Sequence, residues 1–433
     1  MWHQWTNSQN KIASINATVV TPVGTGGDPF FGTSGNRWAL QNVADVPSLA
    51  PGQFFVAGGR ITYRGLPGED PTAPGGTTLV AELLPEAVVI GGAPGAPVTG
   101  VALANLTIAH TAAGLEEQCL ASGCGGQSNS DATSAAVHVR YALAASLTGL
   151  ELTGTGGYAA WLDVGSTSCA LTQCLLTDLG QGGVRVGNGD DTGAPATAPA
   201  HSNSIADCVI SDGGHVVPAG TGVLAQECSN TTITHNHIHH LRYTGVTTGW
   251  TWGYMATSDA GQTVSFNHIH DIFLGELTDG GCIYNLGRSP GTRIDHNLCH
   301  DTDAYNYGGW GIYTDEVRCS VRRAALQWWL VVAAAAAAAV ASLGGGDVEQ
   351  EGVGCATPPA AAQLVCAPCS LPGLEQLSGR LRTTYIQPSG ESGGAALCLL
   401  SGGATPSPPS RRQSAALAAA LPPSLCVFVS WGE

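Results

Sequence analysis

Two acidic residues near the middle of the chain stand in matching surroundings of glycine and aromatic residues. Asp279 begins the run Asp-Gly-Gly-Cys-Ile-Tyr at 279–284, and Asp315 ends the run Gly-Gly-Trp-Gly-Ile-Tyr-Thr-Asp at 308–315. Hydrolysis of a glycosidic bond usually requires two carboxyl groups, one protonated to assist the leaving group and one ionised to act as nucleophile or base. We therefore predict that Asp279 and Asp315 form a catalytic pair. The possible substitutes are Glu316, Asp303 and Asp301.

The spacing of these two acids argues against a direct pairing. If the two Ile-Tyr runs stack on each other, Asp315 lies about seven residues farther along its strand than Asp279 does. At ~3.3 Å per extended residue, the two are about 20 Å apart unless the chain bends between them. For any single acid, capping of a turn explains its presence as well as catalysis does.

Aromatic residues collect around the same runs and could stack on the apolar faces of sugar rings. Glycine within a strand lets a ligand or another backbone approach closely. A single tryptophan could equally fill the core or cover a loop, but the cluster as a whole favours a binding groove. The predicted substrate-binding residues are Tyr243, Trp250, Trp252, Tyr284, Tyr307, Trp310 and Tyr313.

Histidines form a second group in this part of the chain. If the repeat described next stacks, they form columns. The members are His237, His239, His268, His270 and His300, with His240, Asp271 and Asp301 beside them. Three converging histidines could bind zinc, but such columns on a solenoid are more often hydrogen-bonded surface ladders. We therefore predict no metal ligands among these residues.

The candidate residues lie within a repeat. Asn-His-Ile-His at 236–239 recurs at 267–270 and returns as Asn-Leu-Cys-His at 297–300, so the asparagines are 31 and 30 residues apart. A period of this size indicates one supersecondary unit that stacks on copies of itself. Asparagine at a fixed place predicts a coil corner, where its amide can hydrogen-bond the rungs above and below.

The repeat extends towards the N-terminus in weaker form. The marker position is occupied by Leu106, Leu150, Cys174, Cys208, Asn236, Asn267 and Asn297. An apolar residue follows two positions later each time: Ile108, Leu152, Leu176, Ile210, Ile238, Ile269 and Cys299. Such alternation predicts short strands with one buried face. With turn residues and no amphipathic helix between them, these strands predict a parallel β-solenoid. A β-sandwich with coincidental repeats is the alternative.

The cysteines divide into two kinds. Cys174 and Cys208 hold the marker position that later rungs give to asparagine, so we predict that they are small buried fillers. Cys119 and Cys124 flank a glycine-rich loop and are the predicted disulfide pair.

The first part of the chain lacks the repeat. Residues 1–95 contain short strand-like runs at 37–43, 52–56 and 61–64. We predict a β subdomain that caps the first rung, because an open solenoid end exposes an apolar core and an unpaired strand edge. The solenoid itself is predicted to occupy residues 96–318.

The last part differs in composition. Residues 319–433 hold no histidine and are rich in alanine, glycine, proline and serine, so we predict a disordered low-complexity tail and no rung after Glu316. Ala324–Leu343 is long enough to span a bilayer. However, alanine is only weakly apolar, and the arginines on its N-terminal flank would place the solenoid in the cytoplasm. We therefore predict no membrane span.

The net charge of the chain limits the classes of binding partner that can be expected. The 433 residues carry a formal charge of −16. An acidic chain repels phosphate backbones, so no nucleic-acid partner is expected. An acidic groove also suits a neutral carbohydrate better than an anionic one. We expect a monomer with a carbohydrate substrate.

The order of motifs over residues 1–318 resembles that of the right-handed parallel β-helix proteins of glycoside hydrolase family 141. The specific part runs from Asn236 to Glu316 and includes Tyr-Thr-Gly-Val, Gly-Trp-Thr-Trp-Gly-Tyr, Thr-Asp-Gly-Gly and Tyr-Gly-Gly-Trp-Gly-Ile-Tyr-Thr-Asp-Glu. Asp279 and Asp315 match acidic positions in the motifs of that family. The resemblance implies a secreted hydrolase of a cell-wall type glycan, with family activities that include α-L-fucosidase and xylanase. No signal peptide is visible in the first residues.

Two other functions remain open. The chain could be a non-catalytic carbohydrate-binding or structural solenoid. It could also be a polysaccharide lyase, since many β-helix lyases bind calcium through clustered acids. Lyase chemistry also needs a basic residue that abstracts a proton beside a uronate. The basic residues between Asn236 and Glu316 are Arg242, Arg288 and Arg293. We expect no cofactor, and calcium is the alternative.

Overall fold

The protein is described by a computed structural model. It covers residues 5–16, 19–23, 37–43, 49–70, 73, 80–114, 134–188, 198–252 and 256–316, together with the backbone of three short strands beyond them. All regular structure in these residues is β-strand.

Two antiparallel hairpins lie in the N-terminal part. The strands are β1 (Ile12–Asn16), β2 (Val19–Pro22), β3 (Phe54–Ala57) and β4 (Arg60–Tyr63). The second hairpin confirms the strand-like runs at 52–56 and 61–64. The run at 37–43 forms no strand. The Arg37 guanidinium donates to the carbonyl groups of Gly275 and Glu276 and lies 3.7 Å from the ring centre of Tyr305, so this run contacts the solenoid.

The remaining strands follow in chain order. They are β5 (Val88–Gly91), β6 (Val98–Thr99), β7 (Ala102–Ala104), β8 (Thr107–Thr111), β9 (Ala135–Arg140), β10 (Ala142–Leu143), β11 (Ser146–Thr148), β12 (Glu151–Thr155), β13 (Tyr158–Leu162), β14 (Ala170–Thr172), β15 (Leu175–Leu179), β16 (Val184–Val186), β17 (Ser204–Ala206), β18 (Val209–Gly213), β19 (Val223–Gln226), β20 (Thr232–Thr234), β21 (His237–Leu241), β22 (Val246–Gly249), β23 (Thr263–Ser265), β24 (His268–Ile272), β25 (Gly281–Leu286), β26 (Thr292–Asp295), β27 (Leu298–Cys299), β28 (Trp310–Asp315), β29 (Val321–Arg323), β30 (Leu381–Thr384) and β31 (Leu399–Gly402).

All of these strands except β6, β10, β30 and β31 stack into three parallel sheets that enclose one core, so the predicted parallel solenoid is confirmed. Sheet A has the order β7-β11-β14-β17-β20-β23-β26-β29, sheet B the order β8-β12-β15-β18-β21-β24-β27, and sheet C the order β5-β9-β13-β16-β19-β22-β25-β28. The first strand of sheet C, β5, lies on the N-terminal side of the boundary predicted at residue 95. Each rung contributes one strand to each sheet, so equivalent residues lie one above another.

The core is built from columns of equivalent apolar residues. In sheet A one column is Leu147, Leu171, Ile205, Ile233, Val264 and Ile294. In sheet B the predicted positions Leu152, Leu176, Ile210, Ile238 and Ile269 form another. All of these side chains are buried. Burying one such side chain contributes roughly 1.5–3 kcal/mol, so the columns supply the main stabilisation of the stack.

The corner between sheets A and B has a constant length. In the described residues, seven strands of sheet A are each followed after two residues by a strand of sheet B. The first corner residue has a left-handed backbone, as at His235 (φ 55°), Phe266 (φ 59°) and His296 (φ 52°). This conformation reverses the direction of the side chain and turns the strand sharply.

The second corner residue forms the predicted ladder. The Asn236 side chain donates to the carbonyl of Ile205 and to Oδ1 of Asn267, each at 3.0 Å. The Asn267 side chain in turn donates to the carbonyl of Ile233 at 2.9 Å and to Oδ1 of Asn297 at 2.9 Å. Each amide therefore satisfies groups in both neighbouring rungs, as predicted from its fixed place in the repeat.

The cysteines also lie on inward positions. Cys174 and Cys208 are free and buried in the ladder column, which confirms their prediction as fillers. A disulfide that the sequence analysis did not predict joins Cys282 of β25 to Cys299 of β27, with the Cα atoms 6.1 Å apart. It crosses the core between sheets C and B. The pair predicted at 119 and 124 lies outside the described residues.

One strand of sheet A follows Glu316, after which the sequence analysis predicts no further rung. The backbone of β29 pairs in parallel with β26 and continues the sheet by one strand, and β30 pairs with β31 in an antiparallel hairpin. The exposed edge of β26 carries unpaired backbone groups that an extended segment can satisfy whatever its sequence, so loss of the repeat motif does not prevent pairing.

No helix long and apolar enough to cross a bilayer occurs in the part of the chain that the structure describes. The apolar run at 324–343 lies outside that part.

Candidate active site

The last rungs of sheet C bring the two predicted runs together. Ile283 pairs with Ile312, Tyr284 with Tyr313 and Leu286 with Asp315 across β25 and β28, so the predicted alignment is confirmed. Because side chains alternate along a strand, the isoleucines face the core and the tyrosines face outward. The rings of Tyr284 and Tyr313 stack with centroids 5.1 Å apart.

Asp315 ends β28 as a half-buried carboxylate that accepts phenolic hydrogen bonds. The hydroxyl of Tyr284 donates to its Oδ2 at 2.9 Å. The hydroxyl of Tyr313 also hydrogen-bonds it. Asp315 is thus held by tyrosines from its own rung and from the one before.

Asp279 lies just before β25 on a left-handed backbone with φ 57°. Its carbonyl accepts a hydrogen bond of 2.8 Å from the hydroxyl of Tyr243. Its carboxyl group is hydrogen-bonded by Tyr307 and Tyr313. A Cβ on Gly308 would lie 2.6 Å from the Asp279 nitrogen, so glycine at 308 allows the next rung to pack against this turn.

The environment of Asp279 favours its protonated form. Burial raises the pKa of this carboxyl group, and the nearby charge of Asp315 raises it further, against the lowering effect of the two tyrosine hydrogen bonds. The charge of Asp315 acts on Asp279, so the two carboxyl groups are near enough to interact electrostatically. Strand register alone keeps their backbones apart, as predicted. Asp279 lies on a left-handed backbone just before β25, and the Tyr313 side chain interacts with both acids.

The tyrosines around the two acids remain hydrogen-bond donors at neutral pH. Burial raises the pKa of Tyr284, Tyr307 and Tyr313 well above the usual value for a phenol. The negative charges of Asp279 and Asp315 raise the pKa of each further. These hydroxyls can therefore orient carboxyl groups without losing their own protons.

The predicted substrate-binding aromatics divide by exposure. Tyr243, Trp250 and Tyr284 are at most 4% exposed, so their rings have no free face for a sugar. Trp250 and Tyr284 belong instead to a second apolar cluster on the outer face of sheet C. Tyr243 and Tyr284 are buried, so they can act at the two acids only as hydrogen-bond donors.

Three other aromatics stay accessible at the acids. Tyr307 is 42% exposed, while Trp310 and Tyr313 are half-buried. Trp310 packs on Tyr313 with ring centroids 4.3 Å apart, and on Tyr307 at 6.2 Å. Together they form an aromatic surface beside Asp279. Trp252 is also exposed, in the loop after β22.

The substitute acids lie elsewhere. Glu316 is exposed on a left-handed backbone at the end of β28. Asp301 accepts a hydrogen bond from Nδ1 of His300 at 2.7 Å on the outer face of sheet B. Asp303 is exposed, and its backbone bonds the residues at 272 and 275.

Sequence reasoning missed several buried charged residues because they follow no repeat. On the outer face of sheet C, His138 lies between Glu86 at 2.6 Å and Asp163 at 2.9 Å. Burial lowers the pKa of His138, but its bonds to these carboxylates more than offset that effect and raise it. The ring stacks on Trp161 at 4.7 Å, and the buried Arg185 lies over the same indole at 4.4 Å.

A second missed group encloses two acids at the corner between sheets C and A. Both Glu227 and Asp259 are fully buried. The Glu227 carboxylate accepts bonds from the nitrogen and hydroxyl of Ser258, each at 2.7 Å. Burial raises the pKa of Asp259 to about 7. Because neither acid is accessible to solvent, we interpret both as groups that hold the loop after β22 in place and not as substrate-binding residues.

The histidines form the predicted columns on the outer face of sheet B. His237 stacks on His268, and His239 on His270, which stacks on His300. Burial and the neighbouring imidazoles lower the pKa of His239 and of His268 to about 4, and that of His237 in the same direction. These rings are neutral at pH 7.

Comparison with known proteins supports the fold. The family model described as "Right handed beta helix region" matches residues 135–317. A solved structure titled "Glycoside hydrolase" superposes with a TM-score of 0.55 at 16% identity, over 64% of this chain and 54% of that chain. The chain therefore spans about half the length of that protein. The crystal structure of alginate lyase from Paenibacillus sp. str. FPU-7 gives a TM-score of 0.23 at 13% identity, over 55% of this chain and 87% of that chain.

No curated protein matches the sequence. The family model and the first structural likeness establish that the coil is a right-handed parallel β-helix, as the sequence resemblance implied.

Proposed function

We propose that the chain is a glycoside hydrolase that acts on a cell-wall type polysaccharide or oligosaccharide, with Asp279 and Asp315 as its carboxyl pair. The observation that carries this proposal is the convergence of the two acids on Tyr313, whose side chain interacts with both carboxyl groups. The likeness to a solved glycoside hydrolase supports a carbohydrate as the substrate class. Glycoside hydrolase family 141 remains the family that the motifs suggest.

The contacts around the two acids support different roles for them. A phenol has one proton, so Tyr313 can donate to only one of the two carboxyl groups. If Asp279 is protonated, it donates to the Tyr313 oxygen, and Tyr313 donates to Asp315. The raised pKa of Asp279 matches this arrangement. Asp279 is then the general acid, and Asp315 is the ionised nucleophile or base.

The surroundings favour a neutral sugar over a uronate. Both acids and the formal charge of −16 repel an anionic substrate. Two of the three arginines that a lyase might use are paired with carboxylates. Arg242 pairs with Glu276, and Arg293 lies 2.8 Å from Asp295. The exposed aromatic surface of Tyr307 and Trp310 offers a platform for a sugar ring.

The location proposed for the protein is extracellular. The Cys282–Cys299 disulfide supports this, because disulfides persist in oxidising compartments and are rare in the cytosol.

The test is an assay of the full chain on a panel of neutral and acidic glycans. Hydrolysis should release new reducing ends on neutral glycans, without the ultraviolet-absorbing double bond that a lyase leaves. Appearance of that double bond would replace the proposal with a lyase. Binding of a glycan without any product would leave a carbohydrate-binding solenoid.

Substitution of Trp310 by Ala should weaken substrate binding more than it slows the chemical step. Loss of the stacking surface removes about 1–2 kcal/mol of binding, which is roughly a 5- to 30-fold rise in KM with kcat little changed. The matched control is Trp38→Ala, since Trp38 is 61% exposed in the N-terminal part. An unchanged KM for Trp310→Ala would remove this tryptophan from the binding surface.

A further inference from the structure

The outer face of sheet B carries an accumulation of histidines over three consecutive rungs. His237 of β21 and His268 of β24 are equivalent residues in neighbouring rungs, and His270 lies two positions beyond His268. One ring nitrogen from each of these three histidines lies within 4.8 Å of the other two. All three side chains are half-buried, so the rings are held by packing yet remain reachable from solvent.

We propose that His237, His268 and His270 bind one divalent transition-metal ion of the zinc type. The site is separate from the acid pair, which lies on sheet C, and it does not depend on the proposed hydrolase function.

Ligand chemistry selects the class of ion. Imidazole nitrogen suits zinc, copper and nickel, whereas calcium and magnesium require oxygen ligands. Zinc binds histidine nitrogen at ~2.0–2.1 Å, so nitrogens around a tetrahedral ion are about 3.3 Å apart. Nε2 of His237 and Nε2 of His270 are 2.7 Å apart, and the three nitrogens span at most 4.8 Å. Small side-chain rotations bring these separations to the required value.

A hydrogen bond to a residue outside the cluster fixes the tautomer and the orientation of the His270 ring. Nδ1 of His270 lies 2.8 Å from Oδ2 of Asp271. A carboxylate can only accept, so His270 carries its proton on Nδ1 and directs the Nε2 lone pair at His237. A carboxylate behind a ligating histidine is the usual arrangement in metal sites, because it sets the tautomer and orients the ring.

The neighbouring histidines complete a nitrogen-rich surface. The His239 ring stacks on that of His270 with centroids 5.1 Å apart. Nε2 of His300 lies 2.8 Å from Nε2 of His268. Three protein ligands leave a fourth position for water. An ion at this place joins β21 to β24 and cross-links two rungs near the end of the described solenoid.

The experiment is a zinc titration of the full, untagged chain after removal of metals with a chelator. Isothermal calorimetry should show one Zn²⁺ per chain. Co²⁺ in the same site should give the intense visible absorption of a tetrahedral ion. Zn²⁺ should also raise the melting temperature, because an ion that binds only the folded chain stabilises it. Ca²⁺ should neither bind at this site nor raise the melting temperature.

Variants assign the ligands. His237→Gln and His270→Gln should each weaken zinc binding by at least ~100-fold, and Asp271→Asn by ~10- to 100-fold, since it removes only the supporting carboxylate. His201→Gln is the matched control, because His201 is an exposed histidine bonded to Thr167 at another corner.

Absence of zinc binding by the unmodified chain would overturn the proposal. Equal binding by both histidine variants and the control would also overturn it, since the ion would then occupy other groups. If a histidine variant fails to fold, a Co²⁺ titration of Asp271→Asn provides the test, because this substitution leaves all three ligands in place. A Co²⁺ affinity equal to that of the unmodified chain would then overturn the proposal.

Discussion

Replacing Asp279 by asparagine should reduce kcat by about 10²–10⁴-fold on any glycan that the chain hydrolyses, because a positioned general acid contributes a factor of this size. Asparagine keeps the shape of the side chain and tolerates the left-handed backbone found at this position. The bond from Tyr243 goes to the main-chain carbonyl and survives the change. The variant should therefore fold as the unmodified chain does.

The pH profile separates the loss of an acid from a general disturbance. Burial raises the pKa of Asp279, so this group stays protonated to higher pH than an ordinary aspartate. Its contribution as a proton donor is complete below that pKa and is lost as pH rises through it. The unmodified chain should show this alkaline limb in kcat/KM, and the residual activity of Asp279→Asn should lack it.

Asp207→Asn is the matched control for this substitution. Asp207 has φ 56° against φ 57° at Asp279, and it is exposed at the corner between sheets A and B. Its replacement should leave kcat unchanged. Asp315→Asn should remove most hydrolysis, because the reaction then lacks its ionised carboxylate. Full activity in either Asn variant would move the assignment to Glu316 or Asp303.

Replacing Asn267 by leucine should lower the free energy of unfolding by about 3–5 kcal/mol. The Asn267 side chain is 1% exposed and bonds both neighbouring rungs. Leucine has a similar volume but leaves the Asn236 nitrogen and the Ile233 carbonyl without their partner. Each buried unsatisfied polar group costs about 1–3 kcal/mol. Urea unfolding followed by circular dichroism measures the loss.

Cys174→Ala is the control for the ladder column. Cys174 occupies the same corner position three rungs earlier, but its sulfur forms only weak hydrogen bonds. Its truncation should cost about 1 kcal/mol, and leucine already occupies this column at Leu150. If Asn267→Leu costs no more than the control, the amide ladder does not stabilise the stack.

The fold was predictable from the sequence because a solenoid repeats one set of local requirements. A single asparagine at 236, 267 and 297 gave the corner, and the apolar residue two positions later gave the buried face. Once one rung is in register, hydrogen bonding and packing fix the next. The same logic aligned Tyr284 with Tyr313.

The site was only partly predictable because its geometry depends on residues that break the repeat. The turn at Asp279 follows no periodic pattern, and its left-handed backbone alters where the carboxyl group points. Tyr243 is buried in the main core and Trp250 in the cluster on the outer face of sheet C, and no local pattern in the sequence reveals either place. The Cys282–Cys299 bond likewise joins two sheets whose proximity follows only from the closed coil.

The constant corner between sheets A and B has a consequence for how such a chain can diverge. Seven described corners there use two residues each, whereas the fully described connections from sheet B to sheet C range from two residues at 156–157 to ten at 300–309. Insertions are thus accepted on one side of the coil without shifting the register held on the other. Asp279 and Tyr307 both lie in these variable connections. Natural variation can therefore remodel the surface around these two residues while inheriting an unchanged scaffold.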